Sequence, residues 1–187
     1  MRPMTLSCPI EKLTGQHELV ICDSAISKKA HQALFHFKED CYLAADDETG
    51  VFWAVAKIVE TLNRGDSGTS ASIALHGPAG TCGKIHVAML WENILRLALW
   101  QEKKPGTGEV FTLLGNLGLS PRELQPFRKA DINDLFPWLF YGKRFDVLRK
   151  ICREVKRRME ESLKGNSHRV VCHIVAADIA GIVASSL

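Results

Sequence analysis

The densest set of reactive side chains lies between residues 72 and 90, in SIALHGPAGTCGKIHVAML. Gly77, Gly80 and Gly83 surround a thiol, Cys82, with His76 before it and His86 after it. A glycine-rich loop after a strand can wrap a phosphate with backbone N–H groups. Histidine and cysteine hold zinc when further ligands converge from other elements. A thiol at a helix start has a lowered pKa and becomes a nucleophile beside a histidine base. A second set lies upstream, where Cys22 and Asp23 close the apolar run Glu18–Cys22.

Spacing weighs these chemistries against each other. An NTP-binding loop needs G-x-x-x-x-G-K-[ST], because a hydroxyl must reach Mg²⁺. Here Gly77 to Gly83 is one residue longer, and Ile85 stands where the hydroxyl belongs. What remains is a loop suited to a small anion at Gly77, Gly80 and Gly83. For zinc, Cys22 ends a first strand, His76 ends a third, and Cys82 follows. Parallel strands bring such ends together, and Asp23 would stand beside a bound water. Each of these side chains serves equally well as an ordinary core or helix-start residue. A Cys82 nucleophile with His76 or His86 as base lacks any local protease or phosphatase signature. The basic residues Arg149, Lys150, Arg153, Lys156, Arg157 and Arg158 are interleaved with Glu154, Glu160 and Glu161. That pattern is a solvated helix face, and no nucleic-acid partner is expected.

The elements that must position these residues read as one α/β domain over 1–187. The net charge of +3 forces no polyanionic partner. None of the six cysteines forms a CxxC pair, so free thiols and a cytoplasmic location are expected. The N-terminus lacks the apolar core of a signal peptide, and no apolar run is long enough for a membrane span. Residues 1–17 read as irregular. Strands are expected at Glu18–Cys22, Cys41–Ala45, Ser72–Leu75, Glu109–Leu114, Arg169–Ala176 and Ile182–Ser185. Helices are expected at Ser27–Lys38, Gly50–Asn63, Lys84–Lys103 and Asp146–Leu163. The Lys84–Lys103 segment is apolar on most sides and reads as a core helix. Residues 104–145 form an irregular or helical insertion. Alternating strands and helices imply a mostly parallel central sheet flanked by helices.

Three segments, in order, resemble the β-class carbonic anhydrases. Leu19-Val20-Ile21-Cys22-Asp23-Ser24-Ala25 is similar to that family's C-x-D-x-R strand end. Ile73-Ala74-Leu75-His76, followed by Thr81-Cys82-Gly83-Lys84, is similar to its H-x-x-C-G motif. Val170–Val183 is similar to its last strand, turn and return strand. The resemblance implies a β-carbonic-anhydrase-like fold, zinc held by two cysteines and a histidine, and a homodimer or higher oligomer. Cys22, His76 and Cys82 are the counterparts, with Asp23 beside the metal-bound water. Phe52, Trp53 and Trp91 are candidate apolar contacts. The departures fall on the chemistry. Ala25 stands at the arginine position, Cys22 is one residue out of register when Asp23-Ser24 is aligned, and the histidine–cysteine spacing is stretched.

Three readings follow. The first is a divergent carbonic-anhydrase-like protein with absent or weakly bound zinc and lost or weak CO₂ hydration. The second is an active zinc lyase or hydrolase of carbonate-dehydratase type, using Cys22, His76 and Cys82. The third is an anion- or nucleotide-binding module at Gly77–Gly83.

Overall fold

The computed structural model of the chain describes residues 18–44, 50–65, 83–163 and 168–187. Strand β1, Glu18–Cys22, is followed by helix α1, Ala25–Phe35, strand β2, Tyr42–Ala44, and helix α2, Gly50–Gly65. Strand β3 is Lys84–Met89. Five helices come next: α3 (Trp91–Leu99), α4 (Thr107–Asn116), α5 (Pro121–Leu124), α6 (Leu135–Tyr141) and α7 (Phe145–Ser162). Strands β4, Arg169–Ala176, and β5, Gly181–Ser185, complete a five-stranded sheet of order β2-β1-β3-β4-β5.

The central segment corrects the sequence reading. Lys84–Met89 was expected to open a helix; it is the middle strand, paired parallel to β1 on one side and β4 on the other. The strand alternates Lys84, His86 and Ala88 with Ile85, Val87 and Met89, but it is short and runs into the apolar stretch of α3, so the two read together as one buried helix. The chain breaks at Leu90, in extended backbone, and α3 starts at Trp91. Residues 109–114 were expected as a strand and belong to α4, whose first turn is closed by Glu109 accepting from the Gly106 N–H at 2.8 Å. Strands β1 to β4 are parallel and β5 is antiparallel, so the sheet is mixed rather than mostly parallel. The expected strand Ser72–Leu75 lies outside the described residues.

The two faces of the sheet are covered unequally. Leu19, Ile21, Ile85, Val87, Met89, Val170, Cys172 and Ile174 face a large apolar layer that includes Val55, Ile94, Leu95, Leu114, Leu148, Ile151 and Val155. The opposite face carries Val20, Cys22, Tyr42, Ala88 and Val175, with Ala30 of α1 against them. Helix α1 lies against β1, β2, β3 and β5. It buries Ser27, Ala30 and His31 and leaves Leu34 59% exposed. Among the described residues no helix is long and apolar enough to cross a membrane.

The strand order reverses between β1 and β3. From β1 the chain steps outward to β2, then crosses back past β1 to β3 and β4. The two crossovers lie on opposite faces, and the carboxyl ends of β1 and β3 meet at the reversal.

Helix α7 is the main cover of β4 and α3, and Leu148 on it is fully buried. Leu148→Ala should lower unfolding free energy by about 2–5 kcal/mol, and Leu34→Ala on the exposed side of α1 by less than about 0.5 kcal/mol. Urea unfolding of both variants checks the assignment; equal losses would refute it.

Candidate metal centre

Three imidazoles meet in the middle of the face covered by α1. His31 comes from that helix, His86 from β3 and His173 from β4, and each is fully buried. The sheet register makes this meeting. Val171 is opposite His86 and Ala88 is opposite His173, so the two histidines are diagonal neighbours on one face. Their rings stack with centroids 5.3 Å apart and planes 19° from parallel. His31 reaches down from α1, one residue after buried Ala30, with its ring edge toward His86.

The ring nitrogens converge. His31 Nε2 lies 3.0 Å from His86 Nδ1, and His86 Nδ1 lies 3.1 Å from His173 Nε2. All three donor atoms lie within 4.8 Å of one another. Three nitrogens on a tetrahedral zinc at about 2.0–2.1 Å are spaced by about 3.3 Å. The two spacings at His86 Nδ1 are close to the edges of such a site.

Protons alone satisfy this geometry poorly. A neutral imidazole has one N–H donor and one acceptor lone pair. His86 Nδ1 touches two other ring nitrogens at once. As an acceptor it offers one lone pair to two donors; as a donor it offers one hydrogen to two acceptors. A cation accepts all three lone pairs together.

Aromatic side chains wall the centre. Phe35 follows His31 by one helical turn and stacks on it at 4.5 Å. His36 ends α1 in the left-handed conformation, and the reversal brings Phe37 within 5.1 Å of the His86 ring. Tyr42 of β2 places its hydroxyl 2.9 Å from His31 Nδ1. The outer nitrogens His86 Nε2 and His173 Nδ1 have no hydrogen-bond partner among the described residues.

Burial keeps the rings neutral. It lowers the His31 pKa to about 4 and, with the neighbouring histidines and Lys84 adding repulsion, lowers His86 and His173 to about 3. Neutral imidazole is the form that binds metal.

Of the residues singled out from the sequence, Cys22, Asp23 and Gly83 are among the described ones. Cys22 lies on the histidine-bearing face as a free buried thiol. Burial, then Asp23, pushes its pKa up to about 12, so it is no ready thiolate. Asp23 sits at the β1–β3 reversal with its carboxylate engaged on both oxygens. Oδ2 accepts from Leu90 N at 2.7 Å and Asn93 Nδ2 at 3.0 Å; Oδ1 accepts from Ser27 Oγ at 2.6 Å and Ser24 Oγ at 3.2 Å. Asp23 therefore ties the start of α1 to the start of α3. Gly83 precedes β3, whose Lys84 pairs with Glu18. It thus lies at the amino edge of the sheet, opposite the Asp23 edge, and its carbonyl accepts from Arg169 N at 3.0 Å. Gly83 and Asp23 therefore lie at opposite edges of the sheet, because the segment after Gly83 is a strand and not the expected helix. His76, Gly77, Gly80 and Cys82 lie outside the described residues. The His31–His86–His173 set was not found in the sequence. The available signal was an isolated histidine inside each of two apolar runs, HV in β3 and CHIV in β4.

Comparison with protein-family models, with curated proteins and with solved structures gave no match. The centre is accordingly read from its own geometry.

Two outcomes follow. In the metal-free protein the histidines titrate near 6.5 when unfolded and near 3–4 when folded. The unfolded chain binds the extra protons, so stability holds above about pH 6.5 and falls as pH drops toward the folded values. Each such proton contributes up to about 1.4 kcal/mol per pH unit. Urea midpoints that stay level between about pH 6.5 and 4.5 would contradict neutral buried rings. Separately, Asp23→Ala leaves the Leu90 N–H and the Asn93 amide without their acceptor. It should cost at least about 2 kcal/mol by thermal or urea unfolding, with metal binding at the histidines retained.

Proposed function

We propose that this chain is a metal-binding protein whose ion is held by His31, His86 and His173. The observation that carries the reading is the convergence of three buried ring nitrogens that no placement of protons pairs completely. An all-imidazole set suits zinc and other borderline first-row ions, and disfavours calcium or magnesium, which take oxygen. Zinc is the first ion to test. A three-nitrogen set leaves one tetrahedral position for water or another small ligand. Zinc-bound water is acidified to about pKa 7, the chemistry of hydration and hydrolysis.

The reading keeps the carbonic-anhydrase resemblance only as a reason to include CO₂ among substrates. Efficient hydration is not expected. Asp23, the counterpart of the family's water-controlling aspartate, already accepts four hydrogen bonds, and Ala25 stands at the arginine position. Full burial of the three histidines also restricts access to the smallest molecules. The function favoured is ion holding with weak or absent CO₂ hydration.

The test is zinc titration of chelator-treated protein against a competing indicator, beside elemental analysis and a CO₂-hydration assay. One zinc per chain is expected, with affinity weakened at least about 100-fold in His86→Ala and in His173→Ala and little changed in Cys82→Ser. Loss of zinc in Cys82→Ser, with retention in both histidine variants, would return the site to Cys22, His76 and Cys82. Failure of the wild type to bind Zn²⁺, Co²⁺ or Cu²⁺ would end the metal reading.

A further inference from the structure

We propose that Tyr42 is the positioning residue of the histidine centre: its hydroxyl accepts the Nδ1 proton of His31 and so aims the Nε2 lone pair at His86 and His173. This inference rests on the metal reading above. An imidazole that gives one nitrogen to a metal must carry its proton on the other, and the partner of that proton fixes the tautomer and the ring orientation. Of the three rings, His31 alone has such a partner among the described residues: its Nδ1 lies 2.9 Å from the Tyr42 hydroxyl, whereas His86 Nε2 and His173 Nδ1 have none.

The placement is also the one the centre needs most. His86 and His173 are fixed by the sheet, because each stands on a strand paired on both sides. His31 comes from a helix that covers its face of the sheet with few buried side chains. Packing against Phe35 and Phe37 confines the ring, but only a directional contact decides which of its nitrogens carries the proton. Tyr42 is anchored for this purpose by the register: it is opposite Val20 on β1, and Val20 is opposite His86 on β3. Tyr42, Val20 and the central His86 thus share one row of the sheet. Burial raises the Tyr42 pKa to about 12, so the group stays a neutral phenol whose oxygen can accept the hydrogen bond from His31 Nδ1–H without adding charge.

The experiment compares the wild type with Tyr42→Phe, which removes one oxygen and keeps the ring. Zn²⁺ affinity is measured by indicator competition, and the histidine tautomers by long-range ¹H–¹⁵N spectra of the zinc-loaded proteins. The wild type should bind one zinc with His31 protonated at Nδ1 and that proton slow to exchange with water. Tyr42→Phe should still bind one zinc, about 10–100-fold more weakly, with the His31 Nδ1 proton exchanging faster. A merely structural tyrosine would change stability without changing that exchange. Affinity within about threefold of wild type with unchanged exchange would overturn the role of Tyr42 while leaving the metal centre intact. Zinc-loaded wild type with the His31 proton on Nε2 would overturn it without any variant, so a poorly folding Tyr42→Phe does not spare the proposal. A wild type that binds no zinc overturns the metal reading and, with it, this one.

Discussion

The central strand β3 imposes the constraint on which the rest depends. It is paired on both edges and covered on both faces, so every side chain it carries must be matched from above or below. On one face Ile85, Val87 and Met89 meet the broad apolar layer built by α2, α3, α4, α6 and α7. Burial there is non-directional and tolerant of detail. On the other face the same strand carries His86, and a single helix must cover it. A buried imidazole without partners is costly. The second face therefore holds a polar centre among apolar neighbours: His31, His173 and Tyr42 surround His86 within a cluster of Val20, Cys22, Ala30, Ala88 and Val175.

The strand order makes a second demand. Where the order reverses between β1 and β3, open α/β sheets leave a crevice at the carboxyl ends, the usual place for a ligand. Here that position is filled from within. Asp23 lies across the reversal and accepts the Leu90 N–H that opens α3, along with the Asn93 amide and two serine hydroxyls. A carboxylate at a helix start takes the role an anionic ligand would take, and the local dipole favours it. The candidate site accordingly lies not at the edge but at mid-sheet, under α1.

What was legible in the sequence follows from this division. Glu18–Cys22 and Arg169–Ala176 read as strands because short β-branched runs end at turn residues. Helix α7 read clearly because Leu148, Ile151, Cys152, Val155 and Met159 repeat at helical spacing, and all are buried. Lys84–Met89 did not, since this short strand runs with no glycine or proline between into the apolar stretch of α3. Misreading it placed Gly83 at the start of a helix, where it in fact precedes a strand. The histidine centre depended on three facts absent from local pattern. These are the diagonal register of β3 and β4, the turn of α1 that faces His31 inward, and the row that joins β2 to β3. A histidine alone in an apolar run marks a buried polar group but not its partners.

Those three elements are distant in the chain, and this decides what an ion there would do physically. His31, His86 and His173 come from a helix and two strands separated by 55 and 87 residues in the chain. In the unfolded chain they form no preformed set, so binding energy at the centre is folding energy. The gain falls chiefly on α1, because β3 and β4 are already held by the sheet and by the apolar layer, whereas α1 buries only Ser27, Ala30 and His31. A ligand bound to His31 and to the sheet together therefore stabilises the docking of that helix more than any other part of the fold. By the same linkage, loosening α1 weakens the centre. The face under α1 is thus thinly covered by that helix, and it is the cover that an ion would strengthen.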